Sequence, residues 1–272
     1  MIRPGLRNFV SVAVSAIVLL PIYWMLATSL KSNREITQDG TLYPHVPTFE
    51  NYIRLFSRKQ FDAYLMNSLA ITVVSVAIAL VAGTLGAYAI ARFHLLWGLE
   101  RKVGLSLLTL RIAPPIVILV PVYLLMLDLR LLDTWLGLII IYTALNITFC
   151  VWMMESFIRE IPVDLEEAAM VDGDTRLRAF LRITLPLAVP GLVATAIFAV
   201  IATFNEFMFA LVLTATPRAM TMPRGTATLI GRIDTDWASM SAAGVIGALP
   251  IVVFGLMVQR HLVRGLTLGA VK

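Results

Sequence analysis

Charge is the first thing this sequence lacks. Only 14% of its 272 residues are Asp, Glu, Lys or Arg, against about a quarter in soluble domains. So few charges cannot solvate the surface of a water-soluble protein of this length. Cysteine is scarcer still. Cys150 stands alone, which excludes an intrachain disulfide and any cysteine-based zinc site. No Gly-x4-Gly-Lys-Ser/Thr run is present, so the chain has no P-loop to cradle ATP phosphates. No His-Glu-x-x-His occurs, and the acids show no metal-ligand spacing, so neither a metal nor a cofactor is expected on this chain. The net charge of +5 is spread over many positions without a Lys/Arg block, which gives nucleic acid no binding surface.

Long apolar runs are what the sequence has instead. Hydrophobic residues make up 59% of the chain. Crossing a bilayer as a helix takes ~20 apolar residues. Six stretches meet that length, at 8–30, 65–91, 103–127, 134–154, 184–212 and 238–259; the third is interrupted by Arg111. They are too long for barrel strands and lack their alternation. The first run exceeds the ~7–15 residues of a signal-peptide core, so it reads as a retained span. The expected fold is therefore all-α, an integral membrane helical bundle forming one domain over 1–272.

With six spans both termini lie on one side of the membrane. If that side is the cytoplasm, its segments hold twelve Lys/Arg and the opposite loops nine, with Arg111 inside a span. The bias places the termini inside. The outer loops are then 31–62 and 214–236. Within the first, "TFENYIRLF" spaces Phe49, Tyr52, Ile53 and Phe56 as one helix face, predicting a short amphipathic helix on the membrane surface.

The polar inner loop 155–186 contains the most informative stretch, "EEAAMVDGDTRLRAFLRITLP" from Glu166 to Pro186. Pro162 suits the first turn of a helix, and Asp164, Glu166 and Glu167 favour the positive end of its dipole. Leu165, Ala168, Ala169 and Asp172 recur at i, i+3, i+4 and i+7, making a narrow face on which two alanines permit close approach. Gly173 reads as the left-handed residue that ends this helix. Asp174 or Thr175 can cap a second one, which carries Leu177, Phe180 and Leu181 as an apolar stripe. Physics alone leaves two readings: an interfacial connector among lipid headgroups, or a contact face for a partner.

The residue pattern of that stretch closely resembles the EAA motif of binding-protein-dependent ABC importer permeases. Glu167-Ala168-Ala169, three residues, Gly173, nine residues, then Ile183-x-Leu185-Pro186 fill every position of it. "ENY" (50–52), "NSL" (67–69), "LRIAPPIVILVPVYLL" (110–125), "IREIPVDLEEAA" (158–169), "FNEFMFAL" (204–211) and "QRHLVRGLTLGAVK" (259–272) look like landmarks of the carbohydrate-type, maltose-like members. Phe204 departs from the Trp frequent in that family, and Asp174 from the small residue usual after the Gly.

The resemblance implies a type I ABC importer permease fold in a bacterial or archaeal plasma membrane, with a cytoplasmic coupling loop. It implies a second homologous permease subunit as heterodimer partner. It also implies two copies of a P-loop ATPase subunit that hold ATP and Mg, an extracytoplasmic solute-binding protein, and membrane lipid around the spans. Glu167, Ala168, Ala169, Asp172, Gly173, Leu165, Ile183 and Pro186 would couple to the ATPase, Glu167 meeting a basic group. The tail residues Gly265, Leu266, Thr267, Gly269 and Lys272 would contact it too. Phe204, Asn205, Glu206 and Phe207 would line the path of a sugar, oligosaccharide or polyol.

Packing competes with function at several of these positions. An acid at membrane depth such as Glu206 is a functional candidate by default. It can also sit near the outer interface or pair with a neighbour such as Arg111. Pro114 and Pro115 should kink the third span. Gly83 and Gly86 should let helices approach. The alternative function is a stand-alone secondary carrier, which would need ion-coupling groups within the spans; only Arg111 and Glu206 qualify.

Overall fold

The computed structural model describes residues 4–38, 40–93, 114–231 and 235–268, with side chains over 8–38, 40–93, 114–231 and 235–257. Among these residues regular structure is helical, apart from one isolated bridge between Ile230 and Thr235. Four helices are long and apolar enough to cross a membrane: Asn8–Ser29, Phe61–Arg92, Trp135–Glu160 and Trp237–Met257. A fifth crossing is available from the pair Arg176–Leu187 and Val189–Phe204, bent by 70°. Of the expected third span, 103–113 with Arg111 lies outside the described residues, and the remainder forms the helix Pro115–Asp128. Pro115 opens that helix after an extended Pro114, as its fixed φ favours. Where a kink was expected, the described residues thus show a helix start.

The chain divides into two units. The first comprises Met1–Leu65 and Met222–Pro250. Here the arm 31–62 is tied by a buried amide. Asn51 Nδ2 donates to the carbonyls of Ser29 (2.8 Å) and Lys31 (2.7 Å), and the Tyr52 hydroxyl meets Ser29 Oγ at 2.7 Å. The predicted amphipathic helix exists as Glu50–Arg58. It buries Asn51 and Leu55 and leaves Phe49, Ile53 and Phe56 exposed. Asp236 caps the last long helix by accepting from Ser239 N, and Asn33 Nδ2 donates to the same carboxylate oxygen.

The second unit comprises Met66–Thr221 and Ile251–Lys272. Among its described residues, two apolar clusters are buried. One gathers Ile71, Leu119, Met126, Leu138, Ile141, Tyr142, Phe209 and Leu213; the other Ala87, Tyr88, Met154, Ile158, Ile161, Phe180 and Ala188. Between them, Gly83 lies so close to Cys150 that a Cβ there would overlap the cysteine Cβ. Lipid is as apolar as these side chains, so close packing rather than exclusion from water holds such helices together.

The first cluster continues into a polar clasp. Asn67 is buried; its Nδ2 donates to the carbonyls of Pro217 and Met220, both at 2.9 Å, and its Oδ1 accepts from Trp135 Nε1 at 2.9 Å. Beside it Asp133 accepts from Ala215 N (2.9 Å), Thr216 N (3.0 Å) and the Thr216 hydroxyl (2.5 Å). The second cluster supports the polar loop.

Candidate functional site

The Trp135 helix runs on to Glu160, past its expected end at 154, and the loop helix follows as Asp164–Val171. Three acids fill its first turn, where the free N–H groups make negative charge favourable. Its end is a Schellman turn. Gly173 N donates to Met170 O at 3.1 Å and Asp174 N to Ala169 O at 3.0 Å, with Gly173 at φ +98°. Nothing surrounds the position a Gly173 side chain would take, so conformation alone demands glycine there.

One side chain of the loop helix is buried, and it is Glu166 rather than Glu167. Glu166 is 4% exposed. Its Oε1 accepts from Thr184 Oγ1 at 2.6 Å and from Arg92 Nε at 2.8 Å, and its Oε2 accepts from the Tyr88 hydroxyl at 2.7 Å. Arg92, with its side chain 4% exposed, sends NH2 to the carbonyl of Ile161 at 2.8 Å. Burial raises the Glu166 pKa; hydrogen bonds from Thr184, Tyr88 and Arg92, with the Arg92 charge, outweigh it and hold the carboxyl below its ordinary value. Sequence reasoning missed this cluster of four residues. Their signal was the spacing of Tyr88 and Arg92, four apart, which puts two polar tips on one face at the end of a span.

This anchor sets the rotation of the helix. Asp164, Glu167, Ala168 and Val171, at i, i+3, i+4 and i+7, are all exposed, Val171 at 88%. The exposed surface of the helix is therefore wider than a single stripe. Leu165, Ala168 and Asp172 of the expected set are exposed, whereas Ala169 is half-buried.

A second helix follows across the Gly173 turn. Thr175 caps it by accepting from Arg178 N at 3.4 Å. Asp174, expected to cap equally well, instead accepts from Arg182 at 3.3 Å. After Ala179 the chain widens into a π-helix at Phe180–Thr184, directly before Leu185 and Pro186. Pro186 has no N–H to give and would crowd an α-helical turn; the wider turn carries the chain past it. Ile183 is half-buried here and Pro186 exposed.

Within the spans, the expected helix 184–212 is interrupted. Val189–Phe204 ends, and Met208–Leu213 begins after a break at 205–207. Glu206 stabilises this break. Its carboxylate accepts from Met208 N (2.7 Å), Phe209 N (3.0 Å) and Ala210 N (3.3 Å), and from the Tyr142 hydroxyl at 2.7 Å. Donors freed by the break are thus satisfied at a helix start. Asn205 and Phe207 are exposed at the same break, whereas Phe204 is buried at 4% and turned into the core. One turn back, Asn146 Nδ2 donates to Thr203 Oγ1 at 2.7 Å, a second polar tie between these helices. Of the tail, Gly265, Leu266 and Thr267 lie on the last helix, which runs to Leu268; Gly269 and Lys272 lie outside the described residues.

Comparison with known proteins gives this geometry a setting. The family described as "Binding-protein-dependent transport system inner membrane component" matches residues 2–268. The chain is 36% identical to the sulfoquinovosyl glycerol transport system permease protein SmoH of Agrobacterium fabrum, over 99% of this chain and 97% of that protein. It is 39% identical to the trehalose transport system permease protein SugB of Mycobacterium tuberculosis, over 93% of this chain and 92% of that one. Among solved structures it matches a bacterial ABC transporter involved in the import of the acidic polysaccharide alginate. There the TM-score is 0.77, with 94% of this chain and 95% of that one covered. At 24% identity the last likeness is one of fold.

Proposed function

We propose, because the chain belongs to the family of binding-protein-dependent transport system inner membrane components, that it is the permease subunit of an ATP-driven importer for a sugar, oligosaccharide or polyol-like solute. It is a transport subunit and not itself an enzyme. The names of the trehalose and sulfoquinovosyl glycerol permeases support the solute class. The observation that carries the coupling assignment is the loop helix itself: anchored from within by Glu166, and presenting Glu167, Ala168 and Val171 outward on an exposed face.

On this reading six spans cross the plasma membrane in the type I arrangement, with both termini and loop 155–186 in the cytoplasm. A second permease subunit completes the path, two ATPase subunits hold ATP and Mg, and a solute-binding protein docks outside. Leu165, Glu167, Ala168 and Ala169 lie on the docking helix and Asp172 and Gly173 in the turn that ends it, with Ile183 and Pro186 shaping the segment behind it. Gly265, Leu266, Thr267, Gly269 and Lys272 add tail contacts. Closure of the ATPase dimer draws the loops together and turns the path outward, as alternating access requires. Asn205 and Phe207 offer exposed contacts for solute, and Glu206 holds the break that presents them. A stand-alone carrier is disfavoured because the Glu206 carboxylate is already engaged by three backbone N–H groups and a hydroxyl.

Co-purification of the tagged chain in mild detergent tests the proposal. A P-loop ATPase and a second multi-span protein are expected with it, and the ATPase should be lost on Glu167→Lys or Gly173→Pro. A chain that purifies alone and moves solute in liposomes without ATP overturns it.

A further inference from the structure

We infer that the buried Arg92–Glu166 pair, with Tyr88 and Thr184, is a positioning joint that makes the docking helix move as one body with the end of the second long helix. The inference rests on the reading of this chain as an ATP-coupled permease. It adds a division of labour within the Glu166-Glu167 pair: the inner acid transmits force, and the outer one meets the ATPase.

The geometry that argues for this is directional. The loop helix has one fully buried side chain, with Ala169 and Met170 half-buried beside it, so that side chain is its one polar hold on the interior of the unit among the described residues. Apolar contacts such as Phe180 against the Tyr88 ring, 4.6 Å between centroids, resist separation but permit sliding. Hydrogen bonds to a carboxylate resist both, because each fixes a distance and a direction, and charge makes them stronger. Glu166 receives three of them, from two segments: Tyr88 and Arg92 on the Phe61–Arg92 helix, and Thr184 in the π-helical turn. Arg92 adds a fourth segment by donating to Ile161 O, at the C-terminal cap of the Trp135 helix. One guanidinium and one carboxylate thereby join four pieces of chain. Chain connectivity alone would tie the docking helix to the helices flanking it in sequence. The joint ties it also to the second long helix, which is remote in sequence.

The carboxylate stays charged at neutral pH, since its hydrogen bonds and the Arg92 charge outweigh its burial. The pair is therefore an ionic one. Replacing Glu166 by Gln keeps the shape, removes the charge that strengthens the bonds from Arg92, Tyr88 and Thr184, and turns one oxygen into a donor, so a hydroxyl that donated to it must reverse its bond.

The test uses the whole transporter, with nitroxide labels on cysteines placed at the exposed positions Val163 and Phe93; Cys150 is buried and stays unlabelled. The label separation is measured without nucleotide and after trapping with ATP and vanadate, in the parent chain, Glu166→Gln and the milder Tyr88→Phe. The parent should give one narrow separation in both states. Glu166→Gln should broaden it or shift it by several ångström on trapping, and Tyr88→Phe should do so to a smaller degree, with the ATPase still bound in both. Unchanged separations in both variants overturn the joint. So does a loss of ATPase in Glu166→Gln combined with parent-like behaviour of Tyr88→Phe, which would make the pair a folding element only. If the parent chain itself binds no ATPase, the transport reading fails, and the joint falls with it.

Discussion

Replacing Gly173 isolates backbone conformation from packing. A Cβ at this position meets nothing within 4 Å, so Gly173→Ala brings no steric clash and its whole effect arises from φ +98°. An L-residue held in the left-handed region costs roughly 1–2 kcal/mol, because its Cβ crowds the following carbonyl oxygen. If the Schellman turn must form before the loop helix can dock, the docking-competent population falls by about 5–30-fold, the factor that corresponds to that energy. Asn tolerates the region better and should fall between Gly and Ala. Pro fixes φ near −65° and removes the N–H that donates to Met170 O, so it should abolish docking. Gly40 supplies the control. It also has positive φ, +55°, with nothing within 4 Å, but it lies in the arm 31–62, so Gly40→Ala carries similar strain at a position remote in sequence from the loop. The assay is the dissociation constant of the ATPase for the purified chain, with hydrogen exchange at the Asp174 amide as the local reporter. A Gly173→Ala chain that binds as tightly as the parent, or a Gly40→Ala chain that binds equally weakly, would refute the reasoning.

Three further outcomes follow from the same structure. The folded-state pKa of Glu166 lies below its unfolded value, so its contribution is complete above the ordinary carboxylate range and is lost as pH falls through the depressed value; acid should loosen the loop in the parent, read by hydrogen exchange, while Glu166→Gln should lose this acid-dependent component. Gly83→Ala forces a Cβ onto Cys150 and should destabilise the chain by about 1–3 kcal/mol, the usual range for overpacking; thermal unfolding in detergent checks this, and Cys150→Gly in the same chain should recover part of the loss. Asn67→Ala leaves the carbonyls of Pro217 and Met220 without their amide donor, while the Trp135 indole N–H keeps Arg218 O, a loss of about 1–3 kcal/mol per unsatisfied buried group. Limited proteolysis of the 214–221 loop should then accelerate several-fold, and an unchanged cleavage rate would show that the clasp does not hold that loop.

Periodicity and length made most of the helices legible. The first, second, fourth and last long runs are helices, and the short arm helix lies where its apolar spacing put it, because these features are written in neighbouring residues. The Gly173 turn was legible for the same reason: a left-handed residue after a helix is a local demand. The break at 205–207 was not. Glu206 stands in an apolar run, and nothing nearby in sequence says that its carboxylate will take up backbone N–H groups two to four residues on while Tyr142 donates from another helix. The π-helical turn also escaped notice, although Pro186 required some departure from α geometry, since the form of the departure depends on what packs around it.

The sequence by itself determined that this chain is an assembly of apolar helices carrying a polar, glycine-broken loop, because hydropathy and turn chemistry act over a few residues. Which acid of the loop helix turns inward was decided by tertiary structure. Glu166 and Glu167 are adjacent acids in one helical turn, and no packing partner near them in sequence says which of them is buried. The choice was made by Tyr88 and Arg92, about 75 residues earlier in the chain, and by Thr184 beyond the turn. A buried carboxylate must find donors, and where the donors stand is a property of the folded chain.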